Sequence, residues 1–514
     1  KRIVPFLMLN TCLLPPAPVD GGGSVTPDPG PDPGPGPDPN ANILWGIIHT
    51  GQSLSVGAYG SPVVNPTTRY SNLKFGFDYV AGPWHRNGTL IPLGEEIRWT
   101  SNYPYPYNIE GESGCTAMSD QISSLSITRT TYDFQTIQTV VGKDGWAMIY
   151  INNNGIHQPP TPTDPVGTGY SFEAAFDEIA DIKPLALSTL GKTYKVAAIS
   201  LEHGESDAPR DDYGADVYQL WSDYNTRVKA ATGQTEDVFL LGHQASSGYP
   251  TDTVTLTRSS DSFWKACLAH PTQLYCCGPK YQLDYETTTY YHLTAPASQR
   301  IGIKRGQVFD AVKSGAGWTP LQPTAVGLSG STITLTVHVP VAPLQWDTTI
   351  NVGHTSVHTA WQNGKGFEVV DVSNNEITIN SVSISGANQI TIVCATPPGA
   401  GSRLRYAMAG DGPTTQRKGQ LCDSDPFIGV DSQTLSCTVT NGSNTVVYSG
   451  TLNHGKRDIV SGSGFAANTI ITGISGTTLT LSNPWTGSSG TASLGFRSDQ
   501  RNYLVVFDLP TSYP

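Results

Sequence analysis

The sequence predicts an α/β unit built on a parallel sheet with helices on both faces, followed by an all-β module. Three observations carry this. Apolar strand-like runs alternate with helix-like patterns over the first part of the chain. After about Ala311 the pattern changes to Thr/Val/Ile alternation broken by Gly-, Asn- and Ser-rich turns. Ahead of both lies a Pro-Asp-Pro-Gly stretch that forms neither helix nor sheet.

In chain order, residues 1–26 read as a signal-like or docking peptide, residues 27–40 as an extended tether, residues 41–313 as the α/β unit and residues 314–514 as the all-β module. Within the α/β unit, Ile43–His49, Trp146–Ile151, Val196–Leu201, Val238–Gly242 and Gln273–Cys277 read as buried strands. Phe172–Leu190, Ala215–Ala231, Ser259–Ala269 and Ala295–Ala311 carry apolar residues at helical spacing. Thr332–Val339, Glu376–Ile384, Gln389–Cys394 and Tyr503–Asp508 alternate as half-buried strands. A strand-turn rhythm of its own over about residues 435–497 reads as a small β unit inserted before the last strand.

At 514 residues the chain is long enough for two to four domains and a large core. A net charge of -12, with 30 Lys and Arg scattered rather than gathered into a stripe, argues against nucleic acid as partner. The 8 cysteines lack the density of a disulfide scaffold and the paired spacing of a zinc site, so buried thiols are expected and no metal or other cofactor is called for. No stretch reaches the ~20 apolar residues of a membrane span. Lys1-Arg2 before Ile3–Leu9 resembles a short signal peptide, and Leu9-Asn10-Thr11-Cys12 a lipoprotein cleavage box. The alternative is a peptide that docks into a larger assembly through Leu and Phe side chains.

Three blocks carry candidate chemistry. Ser53, in Gly51-Gln52-Ser53-Leu54-Ser55, follows an apolar strand in a Gly-led turn, where a hydroxyl stands beside free backbone N–H groups. Glu202-His203-Gly204-Glu205-Ser206-Asp207 follows the strand Val196–Leu201, at the end where doubly wound sheets bind ligands. Tyr290-Tyr291-His292-Leu293-Thr294 leads into the last helix. Each block alone also fits a turn, a solvated loop or a structural histidine.

In order and approximate spacing, the three blocks resemble the carbohydrate-esterase branch of the SGNH hydrolases, which includes sialate O-acetylesterases and acetylxylan esterases. The resemblance covers roughly residues 42–312. Leu404–Met408 and Leu421–Pro426 resemble the β-rich extension of such esterases in bacteria and tailed phages. It implies a flavodoxin-like three-layer fold, followed here by a sandwich-like β module, and metal-free ester hydrolysis through an acyl-enzyme. By the family's pattern Ser53 attacks an acetyl carbonyl and His292 is its base. The oxyanion donors implied are the N–H groups of Ser53 and Gly114, the latter in Glu112-Ser113-Gly114-Cys115, with His203 where the family has Gln. The family's last block is Asp-x-x-His, and here the residue three before His292 is Thr289. The implied source of the missing carboxylate is Glu205 first, then Asp284 or Glu286, then a backbone carbonyl that leaves a Ser-His dyad.

These residues lead to removal of O-acetyl groups from a polysaccharide, a bacterial surface glycan in the favoured setting. The competing expectation is a glycan-binding structural protein of a virion or cell surface on a degenerate esterase fold, motivated by Thr289 and His203. Acetyl transfer to another sugar is a third. The expected location is extracellular, on a virion surface with the N-terminal peptide meeting other virion proteins, or on a secreted or lipid-anchored bacterial protein.

Overall fold

The structure is a computed structural model, and it describes residues 41–77, 86–97, 110–130, 132–152, 169–247, 256–287, 289, 291–352, 354, 357–410 and 417–513. The expected N-terminal peptide and tether lie outside the described residues, as does Cys12. The first part of the chain runs β1 (Ile43–Gly51), β2 (Leu73–Phe77), β3 (Arg86–Pro92), β4 (Glu96–Ile97), β5 (Glu110–Gly111), α1 (Cys115–Thr130), β6 (Thr136–Val140) and α2 (Met148–Ile151). It continues through α3 (Tyr170–Leu190), β7 (Thr193–Glu202), α4 (Tyr213–Thr232), β8 (Phe239–Gln244), α5 (Arg258–Ala269), β9 (Leu274–Pro279) and α6 (Ala295–Lys313).

Seven strands form one sheet in the order β3-β2-β6-β1-β7-β8-β9. All neighbours from β2 to β9 are parallel, and β3 closes one edge antiparallel. Alternate side chains of β1 face opposite layers. Leu44 and Ile48 enter the core with Phe172, Ile179, Val217 and Leu220 of α3 and α4. Trp45 and Ile47 join Met118, Ile122, Val308 and Phe309 of α1 and α6. This three-layer arrangement is the α/β architecture the sequence predicts, and β1 sits at its centre, where the strand order reverses.

Several elements differ from the sequence reading; the strand expected over Tyr503–Asp508, for one, runs only from Phe507 to Pro510. Trp146–Ile151 was expected as a strand, but the strand beside β1 is β6, and Met148–Ile151 is a single helical turn. The reason lies in spacing: Met148 and Ile151, three apart, are buried, while Ile149 and Tyr150 are exposed. The sequence Thr-Ile-Gln-Thr-Val of β6 hides its burial behind hydroxyl and amide groups that bond inward, as in Thr136 Oγ1 to Ser119 Oγ at 2.7 Å and Gln138 Nε2 to Ser119 Oγ at 2.9 Å. For the same reason α1 shows no apolar stripe, since Ser119, Asp120, Gln121, Ser123 and Ser126 are among its buried residues.

After α6 come a four-stranded antiparallel sheet (Gln322–Ser329, Thr332–His338, Gln389–Cys394, Ile379–Ile384) and a three-stranded one (Phe367–Val370, Arg403–Tyr406, Phe507–Pro510). Six strands between Gln433 and Arg497 close into a barrel around Val439, Val446, Ile471, Leu479, Leu494 and Phe496. The sandwich-like expectation thus becomes smaller sheets plus a barrel, whose closure leaves no open sheet edge. The β part shares its core with the α/β part. Gln244, at the end of β8, bonds Val506 with both ends of its amide, accepting from N–H and donating to C=O at 2.8 Å each.

Helix α6 lies against α1 and the loop before it with almost no clearance. A Cβ at Gly302 would stand 2.1 Å from the Gly114 carbonyl oxygen. Gly302→Ala gains ~1 kcal/mol of helix propensity, but the clash forces the backbones apart at a cost of ~1–3 kcal/mol. Net destabilisation is therefore expected, checked by the denaturation midpoint; an unchanged or raised midpoint refutes the close approach.

Candidate active site

Four loops at the carboxyl ends of β1, β6, β7 and β9 converge, where parallel sheets hold their ligands. The loop after β1 bends at once. Gly51 has φ +144°, and a Cβ there would lie 2.0 Å from the Glu202 carbonyl oxygen at the end of β7. Gln52 N–H donates to that same carbonyl at 3.1 Å. The chain then enters a short 3₁₀ turn, Ser53–Val56, closed by Gly57.

The decisive contact joins Ser53 to His292, whose Nε2 lies 2.8 Å from the Ser53 Oγ, with both residues buried. Their register comes from their neighbours: Leu54 and Leu293 pack together with Leu283, Ala297 and Ile301. The histidine loop is a narrow double strand, with Glu286 N–H donating to the His292 carbonyl at 2.9 Å, Thr294 N–H to the Asp284 carbonyl at 3.1 Å, and a bridge between Tyr285 and Leu293.

Glu205, expected beside His292, is held elsewhere. One carboxylate oxygen accepts from Gln52 Nε2 at 3.0 Å and the other pairs with Lys280 Nζ at 2.5 Å. Lys280 also pairs at 2.5 Å with Glu202, which in turn pairs with Arg305. Burial alone would raise the Glu202 carboxyl, but the charges of Lys280 and Arg305 outweigh it and hold it below the usual carboxylate range. Burial likewise opposes the Lys280 charge, and the two glutamates outweigh it, so Lys280 stays protonated with no exposed side chain. Gln52 completes the lattice by accepting from Ser206 N–H at 3.1 Å. Gln52, Glu205 and Lys280 therefore brace the Ser53 turn.

The other predicted residues are also placed. His203 is fully occupied: Nε2 donates to the Trp146 carbonyl at 2.8 Å, which leaves Nδ1 to accept from Tyr213 Oη at 3.1 Å. Burial pushes its pKa down. The ring is thus engaged by the loop after β6 and by α4, not by an oxyanion. Asp284 accepts from Lys456 N–H at 2.8 Å and Arg457 Nη2 at 2.9 Å on the barrel, and Glu286 meets His292 through its backbone N–H alone. Nδ1 of His292 makes no hydrogen bond among the described residues, and neither does Oγ1 of Thr289. The arrangement is a Ser-His pair, with no carboxylate on the imidazole Nδ1 among the described residues.

The N–H groups of Ser53 and Gly114 are likewise unused by any described residue. The Gly114 loop is anchored on both sides. Glu112 accepts from Val64 N–H, Asn65 N–H and Asn65 Nδ2 at 2.8–2.9 Å, and Glu95 accepts from Ser113 N–H at 3.1 Å and Thr116 N–H at 2.9 Å. Burial, then the neighbouring Glu95, pushes the Glu112 carboxyl up to about 8.

Two residues beside the pair were not singled out in the sequence. Asp144 carries its carboxyl beside the Ser53 hydroxyl, and burial raises its pKa; it follows β6, the strand whose polar pattern hides it. Tyr59 stacks on the His292 ring with centroids 4.5 Å apart. A cleft of about 310 Å³ elsewhere, lined by Trp346, Asp347, Asn468 and Arg497 among others, contains none of these groups.

No family model matches the chain, and no curated protein matches it. Among solved structures, several esterases align with the chain at low identity and with TM-scores below 0.5. A carbohydrate acetylesterase from Xanthomonas citri aligns at 13% identity with a TM-score of 0.46, over 73% of this chain and 77% of that one. A carbohydrate acetylesterase from Sinorhizobium meliloti aligns at 12% identity and TM-score 0.26, over 52% and 99% of the two chains. An aryl esterase of M. smegmatis aligns at 10% and 0.27, over 53% and 99%. At such identities the similarity is one of fold.

Lys280→Met removes the cation between two buried carboxylates. We expect a loss of ~3–5 kcal/mol, the range for an orphaned buried charge, read as a lowered unfolding midpoint at neutral pH. A midpoint within ~0.5 kcal/mol of wild type contradicts the buried network.

Proposed function

We propose that this protein is a serine esterase that removes O-acetyl groups from a polysaccharide. The observation that carries the reading is the 2.8 Å contact between His292 Nε2 and Ser53 Oγ at the carboxyl end of the central parallel strand. Ser53 Oγ attacks the acetyl carbonyl carbon as its proton passes to Nε2, and the carbonyl oxygen becomes an oxyanion facing the Ser53 and Gly114 N–H groups. Collapse expels the sugar oxygen, which takes the proton from His292. Water, deprotonated by the same imidazole, then cleaves the acetyl-serine ester and restores Ser53 with release of acetate. The substrate we assign is an acetylated bacterial surface glycan, met outside the cell, with the N-terminal peptide and its tether attaching the enzyme to a virion or a cell surface. The sequence of the tether supports that setting.

A second reading has its own motivation in Thr289 and in Nδ1 of His292, which has no hydrogen-bond partner among the described residues: a catalytically degenerate protein that binds glycan. Turnover of an aryl acetate separates the two. The esterase reading requires hydrolysis that falls by a factor on the order of 10³ or more in Ser53→Ala, and stoichiometric labelling of Ser53 by a phosphonate. Folded wild-type protein that neither turns over nor labels supports the binding protein instead.

Burial first, and then the charge of Lys280, lower the His292 pKa to about 4. The base works unprotonated, so activity disappears as the pH drops through that value. We expect kcat/KM for an aryl acetate to stay level from about pH 8 to about pH 5 and to decline below it. Thr289→Asp, which restores a negative charge to the base, should move that limb upward. A wild-type limb near the ordinary histidine value of about 6.5 contradicts the burial of the base.

A further inference from the structure

We propose that Tyr59 is the positioning residue of the His292 base, its ring performing the orienting task that a carboxylate performs in a Ser-His-Asp triad. The proposal rests on the reading of Ser53 and His292 as the hydrolytic pair. A neutral imidazole that is bonded only through Nε2 can still swing about that contact, and no described residue holds Nδ1. Thr289, in the place where the resembled family has its acid, reaches His292 through the backbone alone, its carbonyl accepting from His292 N–H at 2.8 Å.

Two rings meet the imidazole: that of Tyr291, the preceding residue, tilted by 50° with centroids 4.4 Å apart, and that of Tyr59, which stacks face to face with centroids 4.5 Å apart and planes 25° from parallel. The hydrogen bond to Ser53 fixes one direction in the imidazole plane, and the stacked ring fixes the plane itself. An aromatic face also attracts the imidazolium formed during the reaction more than the neutral ring, opposing burial and the Lys280 charge.

The backbone supports a role of this kind. Tyr59 has φ +65°, a left-handed conformation that is strained for a bulky side chain and persists where its surroundings enforce it. They do: Ala58 N–H donates to the Ser53 carbonyl at 3.0 Å, Ser61 N–H to the Tyr59 carbonyl at 2.8 Å, and Glu112 N–H to the Gly60 carbonyl at 2.8 Å. Core packing does not explain the residue, because 51% of it is exposed. The strained turn delivers an aromatic face to the base, tied to the same 3₁₀ turn that carries the nucleophile.

The test uses the full chain and an aryl acetate, which lacks a sugar for Tyr59 to touch. Tyr59→Ala is expected to lower kcat roughly 10-fold, the loss of one stacking contact to the charged base, with KM nearly unchanged. Tyr59→Phe, which keeps the ring face, should stay within about twofold of wild type. An unchanged kcat in Tyr59→Ala, a loss confined to KM, or a loss not restored by phenylalanine overturns the proposal. Ser53→Ala run alongside separates the two levels: wild-type turnover independent of Ser53 refutes the hydrolytic pair, whereas Ser53-dependent turnover with an indifferent Tyr59 refutes only the positioning role.

Discussion

The ammonium of Lys280, buried between Glu202 and Glu205, is the interaction on which the site depends. Glu202 ends β7, Glu205 lies in the loop after it, and Lys280 immediately follows β9. Two carboxylates on one side of a sheet end would repel each other in a medium of low dielectric. With Lys280 between them and Arg305 behind, they become a rigid block. Gln52 hangs from it by its amide, one residue before Ser53, so the position of the Ser53 turn is set by this buried charge cluster.

The same cation shapes the chemistry. Burial, and after it the charge of Lys280, disfavours an imidazolium at His292. A conventional triad answers that with a carboxylate on the far ring nitrogen. Here Glu205 is engaged by Lys280, Asp284 by the barrel, and Asp144 lies on the Ser53 side, so no described carboxylate bonds Nδ1. What remains is a buried imidazole whose pKa is pushed down, with the Tyr59 ring stacked on it and the Tyr291 ring tilted against it.

The β part bears directly on the site. Arg457 and the Lys456 N–H of the barrel hold Asp284, whose carbonyl holds Thr294 two residues past His292. Arg300 of α6 donates to the Asp499 carbonyl at 2.9 Å, and Lys304 to the Gln500 carbonyl at 2.7 Å. The loop that carries His292 is thus held by the barrel next to α6, which gives the barrel strands a mechanical part in the geometry of the pair.

The sequence by itself determined the layered α/β architecture, because long apolar runs and helical spacing report burial wherever burial is achieved with apolar side chains. It also singled out Ser53 and His292, since Gly-Gln-Ser after the first strand and His-Leu-Thr before the last helix are local patterns. It did not reveal β6 or α1, whose buried faces mix a few apolar side chains with Thr, Gln and Ser bonded to one another. Nor could it assign Glu205, His203 and Asp284, because a carboxylate or an imidazole is assigned by what it touches. Lys280, Trp146 and Arg457, their partners, stand 75, 57 and 173 positions away. Tyr59 illustrates the same limit: its left-handed backbone and its contact with a ring 233 positions later exist only once the sheet has brought the ends of β1 and β9 together.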